Sequence, residues 1–133
     1  FAASLAGCTI NVGSVLGESS ETQTPEQARI AVAEFECQEF NSVMRAFHQE
    51  VFIDDNKALE FTLPFRSRDN AVASEIASYM EWFVLSVQSL AEGDATGDYE
   101  ATSTATAVYM DIWDGLSKTC FDSGVELIGG NPQ

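Results

Sequence analysis

The residues of this 133-residue chain with the widest chemical range are three cysteines, Cys8, Cys37 and Cys120, and one histidine, His48. The cysteines lack the short spacing of a zinc site, and no second histidine exists to form a metalloprotease pair. A thiolate–imidazole nucleophile built from Cys37 and His48 fails on distance, because eleven residues along one predicted helix separate the two by about 16 Å. His48 therefore reads as a partly exposed helix histidine. Carboxylates are abundant, 21 Asp plus Glu against 6 Lys plus Arg, so acidic pairs arise by number alone. Asp94, Thr96, Asp98 and Glu100 alternate as calcium-loop ligands do, but the glycine is misplaced and no bidentate Glu follows. Capping of the next helix by Asp98 explains them, and Asp54-Asp55-Asn56 reads as a helix exit. No phosphate-cradling glycine loop or G-x-S-x-G elbow is present. These residues point to no catalytic site, no metal and no cofactor. Binding is the chemistry that is left.

Aromatic residues carry that reading. Tyr79, Trp82 and Phe83, with Tyr109 and Trp113, give more aromatic surface than a three-helix stripe needs. Most of it is expected in the core. Trp82 sits beside its stripe, where an edge Trp commonly anchors a protein partner or lines an apolar pocket. The candidate contact residues for a partner or ligand are Trp82, Tyr79, Trp113, Phe61 and Phe65.

The chain opens on Phe1 rather than Met, which suggests a piece of a longer gene product, and its first eight residues, FAASLAGC, carry no charge. Within them, Leu5-Ala6-Gly7-Cys8 resembles the bacterial lipobox, in which cleavage falls before a Cys that carries lipid. The resemblance covers these eight residues alone. It implies that residues 1–7 end a signal peptide and that Cys8 becomes a lipidated N-terminus on the outer side of a bacterial cell membrane. Residues 8–23, rich in Gly, Ser, Thr and Glu, would then be the spacer that holds a domain clear of the lipid surface. Without the resemblance, residues 1–16 read as an apolar segment packed on the domain, with Cys8 a small buried residue. In an exported protein a Cys37–Cys120 bridge is the economical assignment, leaving Cys8 spare. In a cytosolic one the same two residues would be buried free thiols.

The elements that position these residues are helices. Thr24 can cap the first, Pro25 suits its first position, and Gln27 completes a capping box. Ile30, Ala33, Cys37, Phe40, Met44, Phe47 and Val51 then follow steps of three and four, predicting a helix over 25–52. Asp69 or Asn70 can cap a second over 70–91, with Val72, Ile76, Tyr79, Met80, Phe83, Val87 and Leu90 inward. A tight connection at 92–98 leads to a third over 99–123, with Ala101, Ala105, Val108, Ile112, Leu116 and Cys120 inward. Between the first two, Leu59, Phe61, Leu63 and Phe65 alternate with other residues, predicting an extended crossover over 57–66.

The fold expected is an all-α bundle of three long helices, with residues 24–128 as the domain and 129–133 as a tail. The two cysteines lie at different depths in their helices, so a bridge requires either a stagger or a first helix antiparallel to the third. The second option makes the crossover run the length of the bundle.

With 45% apolar and 20% charged residues the composition is globular, and a formal net charge of −15 argues against nucleic acid or an anionic lipid surface as a direct partner. The reading that follows is an exported cell-envelope lipoprotein, extracytoplasmic and membrane-bound through its lipid alone. Its non-catalytic helical domain would bind or stabilise another envelope protein, as an accessory subunit of a membrane complex. Two other readings stand beside it. One is a carrier or sensor of a small apolar ligand, held in a cavity lined by Phe40, Phe47, Tyr79 or Trp113; the other is a cytosolic helical protein with an apolar N-terminus.

Overall fold

Thr24 opens the first helix as a reciprocal cap. Its hydroxyl accepts from the Gln27 amide at 3.1 Å, and the Gln27 side chain accepts from the Thr24 amide at 3.0 Å. The computed structural model of the protein describes residues 24–128, so Cys8, the 1–7 and 8–23 assignments and the 129–133 tail lie outside the described residues. The elements in order are α1 (Pro25–Val51), α2 (Asp55–Glu60), α3 (Leu63–Arg66), α4 (Ala71–Thr96) and α5 (Glu100–Asp122). The described residues form an all-α helical domain in which α1, α4 and α5 are the long helices.

Asn70, rather than Asp69, caps α4 by accepting from the Ala73 amide at 2.8 Å. That helix runs past the break expected at 92, and the two glycines there have different jobs. At Gly93 the Tyr99 ring lies so close that an added Cβ would sit 2.5 Å from its Cδ1. Gly93 serves a close approach inside the helix. Gly97, with φ of 83° and its amide donating to the Gly93 carbonyl, is the left-handed stop.

The extended crossover expected over 57–66 is two short helices instead. Asp54 begins the first of them: it is a helix cap rather than an exit, and its carboxylate accepts from the amides of Asn56 and Lys57. The buried positions are Ala58, Thr62 and Phe65, steps of four and three, while Leu63 points to solvent. Thr62 breaks the apolar pattern yet is tolerated inside because its hydroxyl donates to the Leu59 carbonyl at 2.6 Å.

Ring contacts set the topology. Phe40 meets Tyr79 at 5.7 Å and Phe47 meets Phe83 at 5.9 Å, so α1 and α4 run parallel. Cys37 is bridged to Cys120, with Cα atoms 5.8 Å apart, and Phe40 meets Trp113 at 6.3 Å, so α1 runs antiparallel to α5. The crossover therefore does return the chain along the bundle before α4 begins. Its far end is held by an ion pair. Arg68 Nε donates to Glu36 Oε2 at 2.7 Å, Asn70 Nδ2 donates to the same oxygen at 2.9 Å, and Glu36 is 1% exposed. The guanidinium lies 5.2 Å from the ring centres of both Phe35 and Phe65.

The core is built from Cys37, Phe40, Met44 and Phe47 of α1, Ile76 and Met80 of α4, and Leu116 and Cys120 of α5, closed by Phe65. Ala105 is buried as expected, but Ile30, Leu90 and Ala101 are exposed and Val108 and Ile112 only half-buried. For Leu90 and Ala101 the cause is the helix lengths. The three long helices overlap along only part of their lengths.

Candidate functional site

That partial overlap creates the most distinctive surface of the domain. Phe52, just past the end of α1, lies 6.3 Å from Phe83, which marks where α1 stops alongside α4. From Phe83 the helix continues thirteen residues to Thr96, about 20 Å at 1.5 Å per residue. Short α2 covers only the first of these turns, where Gln88 donates to Asp55. Val87 of α4 and Tyr109 of α5 are the farthest residues joined to the main core in this direction. Beyond the Gln88–Asp55 contact α4 and α5 pack on each other alone among the described residues, through Gly93 and Ala105. They form a two-helix arm over residues 88–108.

One face of the arm is open where α1 would have continued. Leu90 lies seven residues after Phe83 and eleven after Tyr79, so it falls on the same stripe of α4 that meets α1 lower down. Leu90 is 41% exposed, and Leu85, Tyr99 and Met110 are exposed around the arm at 46%, 44% and 54%. The arm is also uniformly acidic. It carries Glu92, Asp94, Asp98 and Glu100, and no Lys, Arg or His occurs between Arg68 and Lys118. The ion pairs among the described residues are Arg29–Glu26, Arg66–Glu81, Arg68–Glu36 and Lys118–Asp122, none of them on the arm. Two of its carboxylates serve the turn instead. Tyr99 Oη donates to Asp94 at 2.7 Å, and Asp98 accepts from the Glu100 amide at 3.0 Å.

The residues singled out in the sequence divide between core and surface. Tyr79 and Phe65 are buried, Trp113 and Phe61 half-buried, and Trp82 half-buried on α4 outside the ring pairs of the described residues. Tyr79 meets Trp113 at 5.3 Å, Phe40 meets Phe65 at 6.2 Å and Phe47 meets Phe61 at 6.3 Å. These rings hold the bundle together and do not form one exposed patch. Sequence reasoning missed the arm. The signal that marks it is the absence of any cation from residue 69 to residue 117.

His48 is held on both nitrogens. Its Nδ1 lies 2.9 Å from the Met44 carbonyl, which can only accept, so Nδ1 carries the proton and Nε2 accepts from the Tyr79 hydroxyl at 3.2 Å. Burial lowers the His48 pKa, opposed in part by the Met44 hydrogen bond. Burial, with Tyr109 nearby, raises that of Tyr79. The pair therefore keeps Tyr79 protonated and the imidazole neutral, which suits a structural contact and not an activated nucleophile. No group of three or more His, Cys, Asp or Glu among the described residues is placed to hold a metal. Nor is any described helix long and apolar enough to cross a membrane.

Among the described residues, two grooves with mostly apolar walls lie away from the arm. One, of about 940 Å³, opens between the first turns of α1, the start of α4 and the end of α5, with Ile30, Val32 and Val72 among its walls. The other, of about 240 Å³, is floored by Val43, Phe61 and Pro64. No protein-family model, curated protein or solved structure matches this chain.

Proposed function

We propose that this protein is an exported, lipid-anchored component of a bacterial cell envelope whose helical domain binds another envelope protein through the α4–α5 arm. The observation that carries the reading is the arm itself: about 12 Å of paired helix, 88–96 of α4 with 100–108 of α5, with exposed apolar side chains and, among the described residues, no third helix against them. The lipobox-like Leu5-Ala6-Gly7-Cys8 supplies the anchor. A bridge between Cys37 and Cys120 suits an oxidising compartment outside the cytoplasm. Anchoring at Cys8 confines the domain to the membrane surface, where a weak docking contact gains from local concentration. Two or three acyl chains hold such an anchor stably.

Carriage of a small apolar ligand between the helices has less support. Phe40 and Phe47, expected to line such a cavity, are fully buried and packed edge-on against Tyr79, Phe65 and Phe61, so the rings occupy the space themselves.

A photo-crosslinking residue placed at Leu90 or Met110, and at Glu34 of α1 as a control, tests the docking role in native membranes. The reading predicts one discrete protein adduct shared by Leu90, on the arm, and Met110, at its base, and absent from the control. Equal, diffuse labelling from all three positions would contradict it.

A further inference from the structure

The arm's chemistry specifies its occupant more closely, on the premise that the arm is where a partner docks. We propose that the open face beyond α1 receives a cationic amphipathic helix of the partner, laid along the α4–α5 groove as a continuation of α1. Shape is the first argument. α1 fills this groove as far as Phe83 and then stops, while α4 continues for about 20 Å and α5, from Tyr109 back to Glu100, for about 14 Å. A helix of two to three turns fits the paired length, and Val87 and Leu90 on the α1-facing stripe give its apolar side a floor.

Charge is the second argument, and it separates the possible occupants. The chain has 6 Lys plus Arg, four of which pair with carboxylates away from the arm. Its own cations leave Glu92, Asp94, Asp98 and Glu100 unopposed. A second copy brings another net charge of −15 and meets the arm with like charge. An anionic lipid surface is repelled for the same reason. A helix with Lys or Arg flanking an apolar stripe satisfies both requirements at once: its stripe covers Leu90 and Val87, and its basic flanks meet the acidic tip.

The test uses the full chain and a synthetic 14-residue helical peptide with a leucine stripe and lysine flanks. A scrambled peptide of identical composition separates a shaped contact from general attraction to an acidic protein. Amide chemical-shift mapping and fluorescence anisotropy are read at low and at moderate salt. We expect the amphipathic peptide to bind with shifts concentrated in residues 84–109, and the scrambled peptide to bind at least tenfold more weakly. Replacing the four tip carboxylates together (Glu92→Gln, Asp94→Asn, Asp98→Asn, Glu100→Gln) keeps their hydrogen-bonding shape and should weaken binding about tenfold. The same number of replacements elsewhere (Glu34→Gln, Glu39→Gln, Glu60→Gln, Glu126→Gln) should change it less than threefold. Equal binding of both peptides, shifts centred outside the arm, equal loss from both sets of replacements, or no binding would each overturn the proposal. An adduct at Leu90 in membranes combined with any of these results would leave the docking role standing and remove its cationic partner.

Discussion

The Tyr79 hydroxyl donates to His48 Nε2 across 3.2 Å, joining the first half of α4 to the last third of α1. Because Nδ1 is committed to the Met44 carbonyl, protonation of the ring turns Nε2 into a donor, and the Tyr79 hydroxyl must then turn round and accept. The His48 ring also lies 4.5 Å from that of Phe83, close to where α1 ends and the arm begins. Its charge state therefore bears on the base of the proposed docking face.

Burial holds the His48 pKa in the folded state below its ordinary value of 6.5. The unfolded chain then binds the proton more readily, so the contribution of His48 to stability is complete above about pH 6.5 and is lost as pH falls toward the folded-state value. Urea unfolding measured from pH 7.5 to 5 should show stability falling with acidification more steeply in the native protein than in His48→Gln. Parallel pH profiles for the two proteins would contradict the assignment.

Arg68 and Glu36 tie the end of the crossover to α1, with Glu36 buried and Arg68 partly exposed. Removing the cation strands a carboxylate in the interior, so Arg68→Met should destabilise the domain by about 2–3 kcal/mol. Replacing both, Glu36→Met with Arg68→Met, removes the stranded charge and should recover most of that loss. Thermal or urea midpoints of the two single variants and the double variant give the coupling directly. Additive losses would show that the pair has no mutual role.

The Cys37–Cys120 bridge spans a sequence separation of 83 residues and joins α1 to α5 inside the core. By the chain-entropy model, a loop of this size contributes about 4 kcal/mol. The paired substitution Cys37→Ala with Cys120→Ala should lower stability by an amount of that order, with part of it due to the small voids left behind. Both sulfurs are fully buried, so reductant added to the folded protein should act far more slowly than reductant added with denaturant. Rapid reduction of the folded protein would place the bridge nearer the surface than the structure does.

Gly97 ends α4 at a φ of 83°, a conformation costly for any residue with a Cβ. Gly97→Ala should cost about 1 kcal/mol and loosen the tip of the arm. Hydrogen exchange would register this as faster amide exchange over residues 92–104, with the core of α1 unchanged. Uniform acceleration across the domain would show that the arm does not open on its own.

Local signals made much of this fold legible. The capping box of Thr24 and Gln27, the heptad-like stripes of α1 and α4, and the two inward cysteines all depend on residues close in sequence. They predict helices and, in an exported protein, a bridge; an α1 antiparallel to α5 is one of the two arrangements that bridge allows, and the structure selects it. The crossover was misread because two periods compete in it. The alternation of Leu59, Phe61, Leu63 and Phe65 is the more hydrophobic one, but the buried set is Ala58, Thr62 and Phe65, and Thr62 enters the core only through its bond to a backbone carbonyl. The arm could not be read from periodicity at all. Leu90 belongs to a core stripe by spacing, and only the level at which α1 stops leaves it exposed. The missing cations between Arg68 and Lys118 were visible in the sequence, but their meaning depends on α4 and α5 projecting together.

The proposed lipid anchor, export and internal bridge all change the covalent mass of one chain, so a single intact mass reads them together. The protein would be recovered from its native membrane fraction and measured without reductant. The expected product is a chain beginning at Cys8, heavier by two or three acyl groups and lighter by the two hydrogens of one disulfide. An unmodified chain that retains residues 1–7 and carries three free thiols would contradict it.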